Sequence, residues 1–152
     1  MATDGSDGTV GSASNEVTVT PDLELKLPAR AENVAVVRHA FGGFAEALSV
    51  DEQTLADIKL AITEACTNVV IHAYDDGEDG ALEVDASIDD RRLTVVIRDR
   101  GRGIVPRPDS PGLGLGLPLI ATLAESLELG KDDAEHTEVR MTFALDDNGG
   151  IE

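Results

Sequence analysis

The chain has 152 residues, about the length of one domain, and its 30 acidic against 12 basic residues give a formal net charge of −18. This charge argues against direct binding to DNA or RNA, whose phosphates the protein would repel. No apolar run approaches the ~20 residues of a membrane-spanning helix, the N-terminus lacks a signal-peptide pattern, and the single cysteine excludes an internal disulfide. We therefore expect a cytoplasmic protein with no membrane partner.

The composition also indicates where the folded domain begins and ends. Residues 1–16 are rich in Gly, Ser, Asp and Thr and offer little to bury, so they predict a disordered N-terminal tail. We expect the domain over residues 17–146 and a C-terminal tail over residues 147–152. The acidic surface has two interpretations, simple solvation or attraction of a partner with a basic surface.

Hydrophobic periodicity predicts the elements in chain order. Alternating leucines predict a half-buried strand over residues 23–27, and apolar residues at helical spacing predict a helix over 31–48. A second helix over 51–73 has Ser49 or Asp51 as its N-cap. Two strands of a hairpin follow over residues 82–88 and 93–97, and then an irregular proline-rich loop over 104–111. A third helix over 115–127 and a closing strand over 138–145 complete the domain.

This order of elements predicts an α+β two-layer sandwich, with a mixed or antiparallel sheet and helices on one face. The run Val95-Val96-Ile97 indicates a central strand that is covered on both faces or near one end. Strands do not alternate with helices, which argues against a Rossmann domain. We expect Cys66 to be a small residue of the core.

The first of three candidate site segments lies on the second helix. Glu64 and Asn68 are four residues apart, one helical turn above each other, and His72 continues the row. The row is rotated off the apolar stripe, so we expect it to meet solvent or a ligand. Glutamate can act as a general base, and the carbonyl oxygen of asparagine is a suitable ligand for Mg²⁺. An ordinary polar helix face is the alternative.

The second segment, Asp99-Arg-Gly-Arg-Gly103, follows a predicted strand. The carboxylate of Asp99 could accept a hydrogen bond from the exocyclic amine of a base, and Gly101 and Gly103 would let the backbone approach the ring closely. The neighbouring arginines create a locally basic region that tolerates a polyphosphate. A plain turn is the alternative.

The third segment contains Gly112, Gly114 and Gly116 just before the third helix. Exposed N–H groups at a helix start bind phosphate, and the helix dipole favours the anion. The Lys-Ser/Thr pair of a Walker A loop is missing, so a P-loop ATPase is disfavoured. A flexible loop is the alternative.

In this order the three segments resemble the GHKL (Bergerat-fold, histidine-kinase-like) ATPases, and most closely the anti-sigma-factor serine/threonine kinase family. Residues 64–74 are similar to the N box of that family, 99–104 to its G1 box and 112–117 to its G2 box. The resemblance covers residues 23–145.

The resemblance implies ATP and Mg²⁺ as cofactors and a role for each site residue. Glu64 would be the general base towards a serine or threonine hydroxyl, Asn68 would hold Mg²⁺ against the phosphates, and Asp99 would bind the adenine amino group. The resemblance also implies a short lid over residues 104–111, which contains Arg107. The other residues that it implies in nucleotide binding, beside the adenine or the phosphates, are Gly101, Gly103, Gly112, Gly114, Gly116 and Thr137.

The resemblance also implies a function. The protein would sequester a sigma factor and phosphorylate a small anti-sigma-factor antagonist, and homodimerisation is implied by the family alone. A non-catalytic ATP-binding regulator that acts only by protein–protein binding is the alternative; the presence of both Glu64 and Asn68 favours the kinase. A histidine-kinase catalytic domain would need a dimerisation helix pair, and an acidic mimic of nucleic acid would not need the three segments.

Overall fold

The computed structural model describes residues 20–75, 79–101, 111–134 and 136–145, with the backbone alone for residues 111–115. The predicted tails, Gly103, Arg107 and most of the loop over 104–111 lie outside the described residues. The elements, in chain order, are β1 (Leu23–Pro28), α1 (Ala31–Ala47), α2 (Glu52–Asn68), a π-helix (Val69–Ala73), β2 (Ala81–Asp89), β3 (Arg92–Asp99), α3 (Pro111–Leu123), β4 (Ser126–Lys131) and β5 (Thr137–Ala144).

The strands form one five-stranded sheet in the order β1-β2-β3-β5-β4, and every neighbouring pair is antiparallel. The inward-facing residues of the sheet pack with α1, α2 and α3 in one hydrophobic core. This arrangement confirms the α+β two-layer sandwich. Burial of each large aliphatic or aromatic side chain contributes about 1.5–3 kcal/mol, and the largest fully buried ones include Phe41, Ile58, Ile62, Leu82, Leu93, Ile97, Ile120 and Met141.

Strand β3 is the central strand, as Val95-Val96-Ile97 predicts, and Val96 is buried on the face away from the helices. Helix α2 packs between α1 and α3. Its N-cap is Asp51, whose carboxylate accepts a hydrogen bond of 2.7 Å from the backbone N–H of Thr54. That bond lowers the pKa of Asp51.

The third helix and the segment after it differ from the prediction. The helix runs from Pro111 to Leu123, and not over 115–127, and residues 126–131 form the edge strand β4, which the prediction lacks. The helix was predicted to extend to residue 127 because Leu123 and Leu127 are four residues apart, which is the spacing of a helical apolar stripe. Strand β4 was missed because nearly all its residues are exposed, so its sequence lacks the apolar alternation of a half-buried strand. Proline is well suited to the first helical position.

Helix α2 ends at Asn68, and the predicted helix continues to Ala73 as a π-helix. Cys66 is fully buried in the core, which confirms its structural assignment. Burial raises the pKa of its thiol to about 12, so the thiol stays protonated at neutral pH. Among the described residues, no helix is long and apolar enough to cross a membrane.

Candidate functional site

Asn68, in the last turn of α2, is the least expected feature of the site. Its side chain is buried, with 4% exposure, so of the two expectations for this helix row, solvent or a ligand, only a ligand remains at Asn68. Its amide nitrogen Nδ2 is buried without a hydrogen-bond partner in the part of the chain that the structure describes. A buried donor left unpaired costs about 1–3 kcal/mol, so the fold retains here a polar group that is suited to a ligand.

Gly116 of α3 lies directly against this amide. A Cβ atom at position 116 would be 2.9 Å from Asn68 Nδ2 and 3.4 Å from Glu64 Oε1. The side chains of Glu64 and Asn68 therefore both reach position 116 of α3, where only glycine leaves room for them. The close approach of α3 buries Asn68, while Glu64 remains partly exposed.

Gly112 and Gly114 lie in the first turn of α3 and do not precede the helix as expected. The first four N–H groups of a helix have no acceptor within that helix. Because Pro111 has no N–H group, the backbone donors of this turn come from residues 112–114. These donors belong to the same helix that carries Gly116.

Asp99 and Thr137 face each other across two strands. They are register partners at the end of the β3–β5 ladder, and both side chains are buried, with exposures of 1% and 8%. Asp99 Oδ1 accepts a hydrogen bond of 3.0 Å from the N–H of Gly101. The strand end thus presents a carboxylate and a hydroxyl side by side on the face that packs against the helices.

The turn after β3 also contacts the helix layer. A Cβ atom at position 101 would lie 2.0 Å from the carbonyl oxygen of Ala73 in the π-helix, so only glycine fits. The continuous segment from Glu64 to Ala73 therefore touches Gly116 near its middle and Gly101 at its end. The structure brings the described parts of the three predicted segments together.

Residues 27–143 match a family model described as a histidine kinase-like ATPase domain. The chain belongs to this family. Within it, the chain is 35% identical over 125 residues to a serine-protein kinase RsbW of Halalkalibacterium halodurans, which covers 72% of this chain and 76% of that protein. It is 31% identical over 130 residues to an anti-sigma F factor of Clostridium botulinum, and this match covers 78% of this chain and 91% of that protein. The chain is thus a member of the anti-sigma-factor serine kinase branch of these ATPases.

Two solved structures share the architecture. A crystal structure of the RsbU and RsbW domains of a Mycobacterium tuberculosis protein superposes with a TM-score of 0.66 at 25% identity over 83% of this chain. This chain spans 32% of that longer protein. The histidine kinase domain of a blue-light activated kinase from Erythrobacter litoralis, at 20% identity and a TM-score of 0.52, shares the fold.

A cavity near these residues lies beside the turn after β3 and not at Asn68. This cavity, of about 690 Å³, is lined by residues that include Tyr74, Arg100 and Gly101 but not Glu64, Asn68 or Thr137. The candidate site is therefore better defined by its buried polar groups and glycine contacts than by this cavity.

On the opposite face of the sheet, an ion network braces the strand ends. Arg98 donates 2.7 Å hydrogen bonds to Asp85 on β2 and to Glu138 on β5. Desolvation acts to lower the pKa of Arg98, but the hydrogen bonds and charges of the two carboxylates outweigh it, and the pKa is raised. Because Arg98 and Glu138 are the neighbours of Asp99 and Thr137, this network fixes the register next to the site.

Tyr74 has no role in the sequence-based prediction, yet it contacts the turn directly. Its hydroxyl accepts a hydrogen bond of 2.9 Å from the N–H of Arg100. A tyrosine at the end of the segment 64–74 is visible in the sequence, but its partner lies 26 residues away along the chain. Only the fold brings the two together.

Proposed function

We propose that this protein is an ATP-dependent serine/threonine protein kinase that holds a sigma factor inactive and phosphorylates a small anti-sigma-factor antagonist. The observation that carries the proposal is the contact of Gly116 with both Glu64 and the unpaired, buried amide of Asn68. The names of the relatives, serine-protein kinase and anti-sigma F factor, support both halves of this function.

The chemistry of the site fits a nucleotide. Asp99 and Thr137 offer an acceptor and a hydroxyl where an adenine amino group would bind, with Gly101 beside them. Asn68 and the N–H groups of the first turn of α3 offer donors for phosphate oxygens. Gly103 and Arg107, outside the described residues, would complete the ring contact and the lid.

The site also fits a magnesium ion that is held in part by the nucleotide. No group of three or more His, Cys, Asp or Glu side chains in the described ranges could hold a metal by itself. Asn68 Oδ1 is a hard oxygen ligand beside the proposed phosphate position, as nucleotide-bound Mg²⁺ requires. When bound, Mg²⁺ would neutralise phosphate charge.

The residues of the chain then have separate tasks in phosphoryl transfer. Glu64 would take the proton from the hydroxyl of the bound antagonist while that oxygen bonds to the γ-phosphorus of ATP, the bond between the γ-phosphorus and the bridging oxygen breaks, and ADP leaves. Asn68 and the first turn of α3 hold the phosphates in position, which is the main requirement of this reaction. Asp99 fixes the other end of the nucleotide. Binding of the unphosphorylated antagonist would release the sigma factor in the cytoplasm, and a homodimer would present two such sites.

The test is phosphoryl transfer in a purified system. The protein is incubated with Mg²⁺ and γ-labelled ATP and, separately, with the sigma factors and small antagonists encoded in the same genome. We expect one antagonist to become labelled on a serine or threonine and one sigma factor to be retained by the unlabelled protein. Retention of a sigma factor with no labelled antagonist would contradict the kinase and support the purely binding regulator.

A further inference from the structure

The ladder between β2 and β3 ends abruptly beside the site. Its last pair is Leu82 with Asp99, and continued pairing would place Ala81 opposite Arg100. Instead, the hydroxyl of Tyr74 stands between these two residues. It donates a hydrogen bond of 2.7 Å to the carbonyl oxygen of Ala81 and accepts one of 2.9 Å from the N–H of Arg100. One phenol thus satisfies two backbone groups where the strands separate.

The ring of Tyr74 is held as closely as its hydroxyl. A Cβ atom at position 80 would lie 2.2 Å from Tyr74 Cζ, so the ring rests on the backbone of Gly80. A Cβ atom at position 101 would likewise be 2.8 Å from Tyr74 Cδ1. The ring is therefore fitted between the start of β2 and the turn after β3.

The π-helix places Tyr74 at this point. It ends at Ala73, and Tyr74 then has an extended backbone, with φ −130° and ψ 150°. π-Helical segments occur often at functional sites. Burial raises the pKa of Tyr74, and the charges of Asp99 and Glu83 add to this shift although the hydrogen bond from the N–H of Arg100 opposes it. The hydroxyl therefore remains protonated and able to donate to Ala81.

We propose that Tyr74 is a positioning residue for nucleotide recognition, because its hydroxyl diverts Arg100 and Gly101 out of the sheet and so fixes the carboxylate of Asp99. This inference rests on the proposed ATP site. Asp99 Oδ1 is bonded to the N–H of Gly101, so the orientation of the carboxylate depends on the turn that Tyr74 holds. Tyr74 would act through Asp99 and not on the reacting phosphate.

The test variant is Tyr74→Phe, which retains the ring and removes only the hydroxyl. We expect the Kd for ATP to rise about five- to tenfold, because the turn loses the hydrogen bonds of the Tyr74 hydroxyl to Ala81 and Arg100. The preference for ATP over GTP should fall, because adenine is distinguished by the amino group that Asp99 reads. The kcat at saturating ATP should stay near the wild-type value, so the effect appears in KM.

Ser126→Ala is the matched control. It also removes one hydroxyl, which is bonded to Thr142 at the other end of the sheet. It should leave ATP affinity and base preference unchanged. Equal weakening of ATP binding in Tyr74→Phe and Ser126→Ala, or wild-type affinity and preference in Tyr74→Phe, would overturn the inference.

A second measurement needs no nucleotide. Amide hydrogen exchange, followed by NMR, should show faster exchange at Arg100 in Tyr74→Phe than in the wild-type protein, because that N–H loses its acceptor. Unchanged exchange at Arg100 would overturn the proposed positioning role of Tyr74 even if the protein is a kinase. If Asp99→Asn lost ATP binding and Tyr74→Phe bound ATP normally, the assignment of the ATP site would stand and only the role of Tyr74 would be rejected. Absence of ATP binding by the wild-type protein would overturn both.

Discussion

Glu64→Gln should lower kcat for phosphorylation of the antagonist by about 10²- to 10⁴-fold, the usual contribution of a general base. Glutamine has nearly the same shape and can keep the contact with Gly116, but its amide does not accept the hydroxyl proton. ATP affinity should therefore stay close to that of the wild-type protein. Single-turnover phosphoryl transfer gives the rate, and calorimetry gives the ATP affinity.

Glu46→Gln is the control for the change of charge. Glu46 is exposed near the end of α1, so its neutralisation should alter neither the rate nor ATP binding. Transfer at the wild-type rate by Glu64→Gln would show that another group takes the proton. A parallel loss of ATP affinity in this variant would place Glu64 in nucleotide binding and not in the proton step.

Gly116→Ala should lower kcat/KM by about tenfold or more, because displacement of catalytic groups by even a fraction of an ångström is costly. The new methyl group would lie 2.9 Å from Asn68 Nδ2, in a buried region that has little room to yield. Alanine gains about 1 kcal/mol over glycine in a helix, whereas overpacking costs about 1–3 kcal/mol. We therefore expect unchanged or reduced stability, together with a clear loss of activity.

Gly43→Ala provides the comparison. Gly43 is also helical, but a Cβ atom there would meet nothing within 4 Å. This variant should gain up to about 1 kcal/mol in the free energy of unfolding and keep full activity. Urea denaturation and phosphoryl transfer should be measured on both variants. If Gly116→Ala matched Gly43→Ala in stability and activity, the contact between α3 and Asn68 would not shape the site.

The parts of the fold that local pattern determines were predictable. An N-cap at Ser49 or Asp51 and the central position of β3 follow from side-chain chemistry and a buried apolar run, and the structure has the cap at Asp51. The start of α3 was not predictable in the same way. Three glycines in six residues have poor helix propensity, and their place in the helix depends on tertiary packing against α2.

In the candidate site too, local sequence pattern predicts some features and tertiary packing determines the others. The spacing of Glu64 and Asn68 indicated that they act as a pair, and the structure brings both to Gly116. The burial of Asn68 was not predictable, because α3, which covers it, is distant in sequence. The hydrogen bonds of Tyr74 to Ala81 and Arg100 have no local signal either, since they arise where two strands separate.

Calorimetric titration with Mg²⁺·ATP, on the wild-type protein and on Asp99→Asn, tests the central claim most directly. Asparagine can still accept from the N–H of Gly101, but it replaces the carboxylate that would read the adenine amino group. We predict micromolar-class binding by the wild-type protein and at least about tenfold weaker binding by the variant, as for loss of a charge-assisted hydrogen bond. No binding by the wild-type protein, or equal binding by both, would contradict the assigned ATP site.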